Sequence, residues 1–306
     1  MIFHHVRWLW THSVAVCGGD GIVLASRRIR FLCRSLVVYR SITPLIDARD
    51  ESPLGKLMHY RPETIGAVIW PYQCSGWNAK TRIARIRDHY AVVEKIGGML
   101  DFEVDGRIQL LELDEIREGF RVIVDQPVWF MREGQLAINL FLGDTRIYTL
   151  AFSLFQRENA ISAFIGAIQG RDIDGVLTNY RELTKASHGM RPRDFLFEIF
   201  RMFCSELGVS QILAVSDEYR HHRYQRYFGR ATRKTLSSNY DEIWTDRGGV
   251  RSNPMFFQLE VKEGRRDLTE MPAKKRSMYR RRYEMLGKIR CQMHERWPSL
   301  PPPGAR

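Results

Sequence analysis

The apolar residues of this chain recur with a helical period towards both ends and with a period of two in the middle. Residues 1 to 60 read as helical with poorly marked boundaries. In SRRIRFLCRSLVVYRS, Arg27, Arg28, Arg30, Arg34 and Arg40 alternate with Ile29, Phe31, Leu32, Leu36 and Val37. That is a basic amphipathic helix, read as a solvated face over a packed face, and a surface or docking helix is expected to begin here. Pro71 breaks the chain. Trp77 and Asn78 then precede a clear helix with Ile83, Ile86, Tyr90 and Val93 on one face, stopped by Gly97 and Gly98. From Phe102 the period becomes two. FRVIVDQPVWF, QLAINLFL, RIYTLAFSLF and AISAFIGAIQG read as strands, with turns at Arg132, Glu133, Gly134 and at Gly143, Asp144, Thr145. The short loops predict an antiparallel meander.

The pattern then alternates. RPRDFLFEIFRMFCSELGV is a helix whose Phe195, Leu196, Ile199, Phe200, Phe203 and Leu207 form a broad apolar face. Pro192 suits its first turn and Gly208 its C-terminal stop. QILAVSD and MFFQLEV read as further strands. In KKRSMYRRRYEML and the residues after it, Met278, Tyr279, Tyr283, Met285, Leu286 and Ile289 fall within one arc of about 160°. This segment is expected to be a packed helix first and an anion-binding surface second. Arg282 falls inside the apolar arc, so it is expected to be largely buried and paired with a carboxylate, Asp241 or Glu242. The class is α/β (α+β): N-terminal helices, then a mostly antiparallel central sheet with packed helices. The expected division is an N-terminal helical segment at 1–55, a main domain at 56–292 (helical over 56–100, α/β core over 101–292) and a Pro-rich tail at 293–306.

Composition adds a location for the charge. The chain has 306 residues, 44% hydrophobic and 27% charged, enough for a sizeable core. Its net charge is +12. Lys274 to Arg290 holds eight basic residues and one acid, and Tyr219 to Lys234 holds six basic residues and no acid. The rest is near neutral, so the excess is a patch. An anionic partner is implied: a phosphate-bearing ligand, nucleic acid or anionic lipid. Tyr219, Tyr224, Tyr227 and Phe228 could stack on bases. The cysteines Cys17, Cys33, Cys74, Cys204 and Cys291 are scattered, with no CxxC pair, which suits a reducing cytoplasm. The uncharged run from Trp8 to Gly19 is too short to span a membrane and lacks a signal peptide's pattern.

Two stretches could carry chemistry. In LTKASHGMRPRDF, Lys185, His188, Arg191 and Arg193 surround Gly189 at a helix start, where free N–H groups favour a phosphate. In VSDEYRHHRYQRYFG, Glu218, Tyr219, His221 and His222 crowd the end of a buried strand, and one histidine could act as a general base. Neighbouring histidines point apart in helix or strand, so no metal is expected.

The order of meander, strand, Gly-containing turn, helix and strand resembles the GNAT superfamily of N-acetyltransferases, in which the turn amides hold the pyrophosphate of coenzyme A. The resemblance implies a GNAT-like arrangement and coenzyme A or an acyl thioester at Lys185, His188, Gly189, Arg191 and Arg193. The turn departs from the GNAT pattern in reading His-Gly-Met-Arg-Pro, and Pro192 removes one amide. Longer motifs, RIARIRDHY, IGAIQG, LTKASHGMRPRDFLFEIF, SDEYRHHRY, YDEIW and KKRSMYRRRYEML, resemble the VirK/YbjX family of bacterial proteins over roughly 55 to 290. That resemblance implies a cytoplasmic protein associated with envelope and virulence physiology, without an assigned reaction or catalytic residues.

Overall fold

A computed structural model describes residues 2–224, 238–262, 264, 267–269 and 271–297. The chain opens with helices α1 (Ile2–Val16), α2 (Gly21–Val37), α3 (Tyr39–Ile46) and α4 (Pro53–Tyr60), followed by a 3-10 segment over Pro62–Val68 and α5 (Ala79–Ile96). The Asn78 side chain accepts from the Thr81 N–H, and Gly97, at φ 60°, ends α5 as its position predicts. The described residues then form one eight-stranded sheet: β1 (Arg107–Glu112), β2 (Phe120–Asp125), β3 (Leu136–Leu142), β4 (Thr145–Arg157), β5 (Ala160–Gly170), β6 (Val209–Val215), β7 (Val250–Asn253) and β8 (Phe256–Leu259). Helices α6 (Val176–Ala186) and α7 (Pro192–Glu206) join β5 to β6, α8 (Tyr240–Asp246) precedes β7, and α9 (Ala273–Arg296) follows β8.

The strand order is β1-β2-β3-β4-β5-β6-β8-β7. Every neighbouring pair is antiparallel except β5 and β6, which run parallel because α6 and α7 carry the chain back across the sheet. The expected meander is present. β2 stops at Asp125, short of the expected FRVIVDQPVWF, because Pro127 has no N–H to extend the ladder; Val128–Phe130 instead form a 3-10 turn. The β5–β6 register runs from Ile161 against Val209 to Ile165 against Ala214, so the last five residues of β5 extend beyond it.

Two large apolar clusters, and a small one of Phe130, Ala151 and Ala167, hold these elements. In the larger, the buried face of α7 meets the sheet, with Phe200 against Phe152 at 4.9 Å and Phe195 against Phe120 at 5.5 Å between ring centroids. The other large cluster joins Leu9, Phe31, Ile42, Leu45, Ile65 and Ile86 of the N-terminal segments, and Trp77 packs against both. No helix among the described residues is long and apolar enough to cross a membrane.

Three expectations about packing resolve differently. α2 begins at Gly21, before the expected start, and a further helix precedes it. Of the apolar residues expected to form its packed face, Phe31 is buried and Leu32 half-buried, whereas Ile29, Leu36 and Val37 face outward. α9 does pack, through buried Leu286, Ile289 and Met293. Arg282, however, is half-buried and meets no carboxylate among the described residues: its Nε and Nη2 donate to the His188 carbonyl at 3.3 and 3.0 Å. Asp241 pairs with Arg251, and Glu242 accepts from Asn239.

Candidate functional site

Three loops converge beside the free end of β5. Residues 71–76 form the first. Its Gln73 N–H donates to the Arg132 carbonyl at 2.7 Å, its Ser75 N–H donates to the Tyr219 carbonyl at 2.8 Å, and Cys74 makes a β-bridge to Arg220. The second is the turn before β3, which carries Arg132 and Glu133. Its Glu133 carbonyl accepts from Gln73 Nε2 at 3.1 Å and lies so close to β5 that a Cβ on Gly166 would stand 1.9 Å from it. Glycine at 166 is therefore what lets Glu133 lie against the strand. The third loop leaves β6 at Ser216 and makes two short 3-10 turns, at Asp217–Tyr219 and at His221–Arg223.

These loops bring Glu133, His221 and His222 together. Glu133 Oε1 stands 3.5 Å from His221 Nε2 and 3.6 Å from His222 Nε2. The two imidazole rings lie with centroids 3.7 Å apart. The histidines are held in one tight turn rather than in a regular helix or strand, and both face one carboxylate. The sequence-based expectation that they would point apart describes the regular elements and not this turn. Glu133 and His221 are buried, and His222 is half-exposed. Burial pushes the Glu133 carboxyl up to about 8, against the pull of Arg132 and Arg220. Burial likewise lowers His221 well below its ordinary range and His222 to about 4, and the same two arginines act in that direction. Arg220 donates to Asp217 at 3.2 Å and lies 3.7 Å over the Tyr240 ring. The guanidinium of Arg132 sits 4.4 Å over Trp70.

Of the four residues expected at the strand end, the structure gathers His221 and His222. Glu218 faces solvent, and Tyr219 is half-buried beside Gly76. The carboxylate at the centre is Glu133, which sequence reading assigns to a turn. Its one sequence signal is an acid inside a turn next to a long, strongly apolar strand.

The residues expected to hold a phosphate do not share one cleft. Arg191 and Arg193 line an apolar cleft of about 480 Å³ with Tyr148, Leu177 and Tyr180. His188 lines a different one, with Arg281, Glu284 and Lys288. Lys185 and Gly189 are exposed. Pro192 is the first residue of α7, as expected. The Gly189 N–H donates to Thr184 and the Met190 N–H to Ser187, so both turn amides are already used. The helix start also carries its own anion, the buried Asp194, which meets Arg193 at 3.1 Å and Arg247 at 3.2 Å.

A basic cleft is lined in part by Trp70. Arg27, Arg30 and Arg34 of α2 line a space of about 560 Å³ together with Trp70 and Tyr224, and no carboxylate is among its lining residues. Tyr227 and Phe228 lie outside the described residues.

The comparisons agree with the motifs. A family described as "Protein of unknown function (DUF535)" matches residues 23–295. The chain is 29% identical to the "Uncharacterized protein YbjX" of Escherichia coli K12 over 275 residues, 88% of this chain and 82% of the relative. It is 28% identical to an "Uncharacterized protein" of Haemophilus influenzae over 240 residues, 78% of this chain and 77% of that one. It is also 24% identical to the "Membrane protein LapB" of Mannheimia haemolytica over 199 residues, 64% of this chain and 85% of that one. No solved structure matches it. These relatives carry no assigned reaction, and the chain belongs to the VirK/YbjX (DUF535) family.

Proposed function

We propose that the protein is a cytoplasmic accessory factor of bacterial envelope and virulence physiology that works against an anionic lipid surface through α2. The observation that carries this is the arrangement of α2's outer side. At 100° per residue, exposed Ile22, Ile29 and Leu36 lie within about 40° of one another, and Arg27, Arg30 and Arg34 lie within about 60°, in an arc that begins about 80° further round the helix. An apolar stripe with arginines towards one side of it suits an interfacial helix in a membrane surface, its apolar side among acyl chains and its cations at the phosphates. Val37, 79% exposed, lies between the apolar stripe and the arginines. Three arginines near an anionic leaflet contribute about 1 kcal/mol each, so their removal changes affinity by roughly 100-fold.

Co-sedimentation of the full chain with phosphatidylglycerol vesicles, phosphatidylcholine vesicles and duplex DNA tests this. Binding to the anionic vesicles alone, weakened by salt and by R27Q/R30Q/R34Q or I22S/I29S/L36S, is the expected result. Binding to DNA in preference to vesicles, or vesicle binding untouched by both triple variants, overturns it.

A GNAT-like arrangement of the α/β core is supported by the parallel β5–β6 pair joined through α7. The apolar cleft at Arg191, Arg193, Tyr148 and Tyr180 supports a second reading, an acyl thioester held there with its chain between the tyrosines. A thermal shift on adding acyl-coenzyme A, lost in R191A/R193A, is the expected result. No shift at millimolar ligand rejects this reading.

A further inference from the structure

Among the described residues, one cluster has the donor types and spacing of a metal site: Glu133, His221 and His222, whose ligand atoms lie within 4.8 Å of one another. The two distances from Glu133 Oε1, 3.5 and 3.6 Å, are longer than a carboxylate–imidazole hydrogen bond, which closes to about 2.7–2.9 Å. They match a different geometry. Two donor atoms on one tetrahedral ion with bonds of about 2.0–2.1 Å stand about 3.4 Å apart, the length of the tetrahedron's edge. We propose that Glu133, His221 and His222 form a mononuclear site for a divalent transition ion of the zinc class, with its fourth position open.

The donor set specifies the ion. Two imidazoles and one carboxylate suit zinc, cobalt or iron, whereas calcium and magnesium take oxygen donors. The frame is rigid in the way a metal site needs. The Glu133 backbone is fixed by Gln73 and by its contact with Gly166, and the histidine turn is anchored through Cys74, Arg220 and Ser75. The side chains of Glu133 and His221 are 5% and 3% exposed and that of His222 is 28%, so the site opens on the His222 side. Arg132 and Arg220 both act electrostatically on Glu133 and the two histidines, so an anion is the natural fourth ligand. The inference is independent of the lipid reading, because metal content is measured without any membrane.

The test uses the full chain, stripped with chelator and titrated with Zn²⁺ by calorimetry and with Co²⁺ by visible absorption. Cobalt is needed because exposed Cys33 and Cys291 could also take zinc, and thiolate ligation would announce itself by a charge-transfer band. The expected result is one ion per chain, a cobalt spectrum without that band, and at least a 100-fold weaker affinity in both E133Q and H222A. His222 is partly exposed, so H222A keeps the proposal testable even where E133Q fails to fold. Absence of stoichiometric binding, or binding that H222A leaves unchanged, overturns the assignment.

Discussion

The hydroxyl of Tyr240 takes the place of a strand beside Ile168. It accepts from the Ile168 N–H at 2.9 Å and donates to the Ile168 carbonyl at 3.2 Å. β6 has stopped pairing by then, at Ile165 against Ala214, so among the described residues no strand pairs with this part of β5 on that side. One side-chain oxygen thus satisfies both backbone polar groups of a buried residue. The Tyr240 ring also carries Arg220, which fixes the turn leading to His221.

Tyr240→Phe keeps the ring and removes only the hydroxyl, leaving the Ile168 N–H and carbonyl without their partner. Leaving a buried group unsatisfied costs about 1–3 kcal/mol. Urea unfolding of the variant is expected to show a loss in that range with an unchanged m-value. A loss below about 0.5 kcal/mol would mean that the edge of β5 does not need the hydroxyl.

His89 sets a second expectation, in pH. Its Nδ1 accepts from the Leu154 N–H at 3.0 Å, so the proton of the neutral ring sits on Nε2, which is buried without a partner among the described residues. Burial lowers its pKa to about 3. The unfolded chain regains an ordinary histidine, with a pKa near 6.5. Below that value the unfolded state binds a proton that the folded state refuses. Stability is therefore full above pH ~6.5 and falls as pH drops towards the folded value, by up to about 1.4 kcal/mol per pH unit from this group. His89→Asn keeps an acceptor where Nδ1 stands and cannot titrate. Urea melts of both proteins between pH 7 and pH 5 (about the window in which an unfolded histidine titrates) are expected to show a shallower decline for the variant. Parallel declines would assign the pH response to other groups.

Much of the scaffold was legible because its causes are local. Alternating Ile, Leu and Phe made β3, β4 and β5 plain, and Pro192 and Gly208 bounded α7 where the chain needs a first-turn proline and a positive-φ stop; Gly208 has φ 68°. The site was half legible. His221 and His222 are neighbours in a motif, so sequence could single them out. Glu133 reaches them from a turn 88 positions earlier in the chain, by way of a contact against Gly166 that no periodicity encodes. α2 was misjudged for a related reason. Its spacing identifies an amphipathic helix, but which apolar residues are covered depends on where α1 and the Pro62–Val68 segment lie, and they cover Phe31 rather than Ile29 or Leu36.

Arg282 illustrates the same limit and supports the last prediction. Its position in the apolar arc of α9 correctly placed it against the body of the protein, but its partner is a carbonyl, not an acid. His188 has φ 51° and Gly189 φ 77°, so the chain leaves α6 through a left-handed turn whose His188 carbonyl points at α9. Two guanidinium N–H groups close on that carbonyl, and the guanidinium carbon lies 4.4 Å over the Tyr279 ring. A charge-assisted hydrogen bond of this kind contributes about 1.5–3 kcal/mol, less than the 3–5 that a broken buried ion pair costs. Arg282→Ala is therefore expected to fall in the lower range, and Arg281→Ala, one residue away and exposed, to cost about 0–1 kcal/mol. Arg282→Lys keeps the charge but loses the fork, and is expected to recover only part of the difference. Urea melts of the three variants decide the matter. A loss for Arg282→Ala no larger than for Arg281→Ala would show that the His188 carbonyl is satisfied equally well by water, and that α9 is held by its other contacts, buried Leu286, Ile289 and Met293 among them.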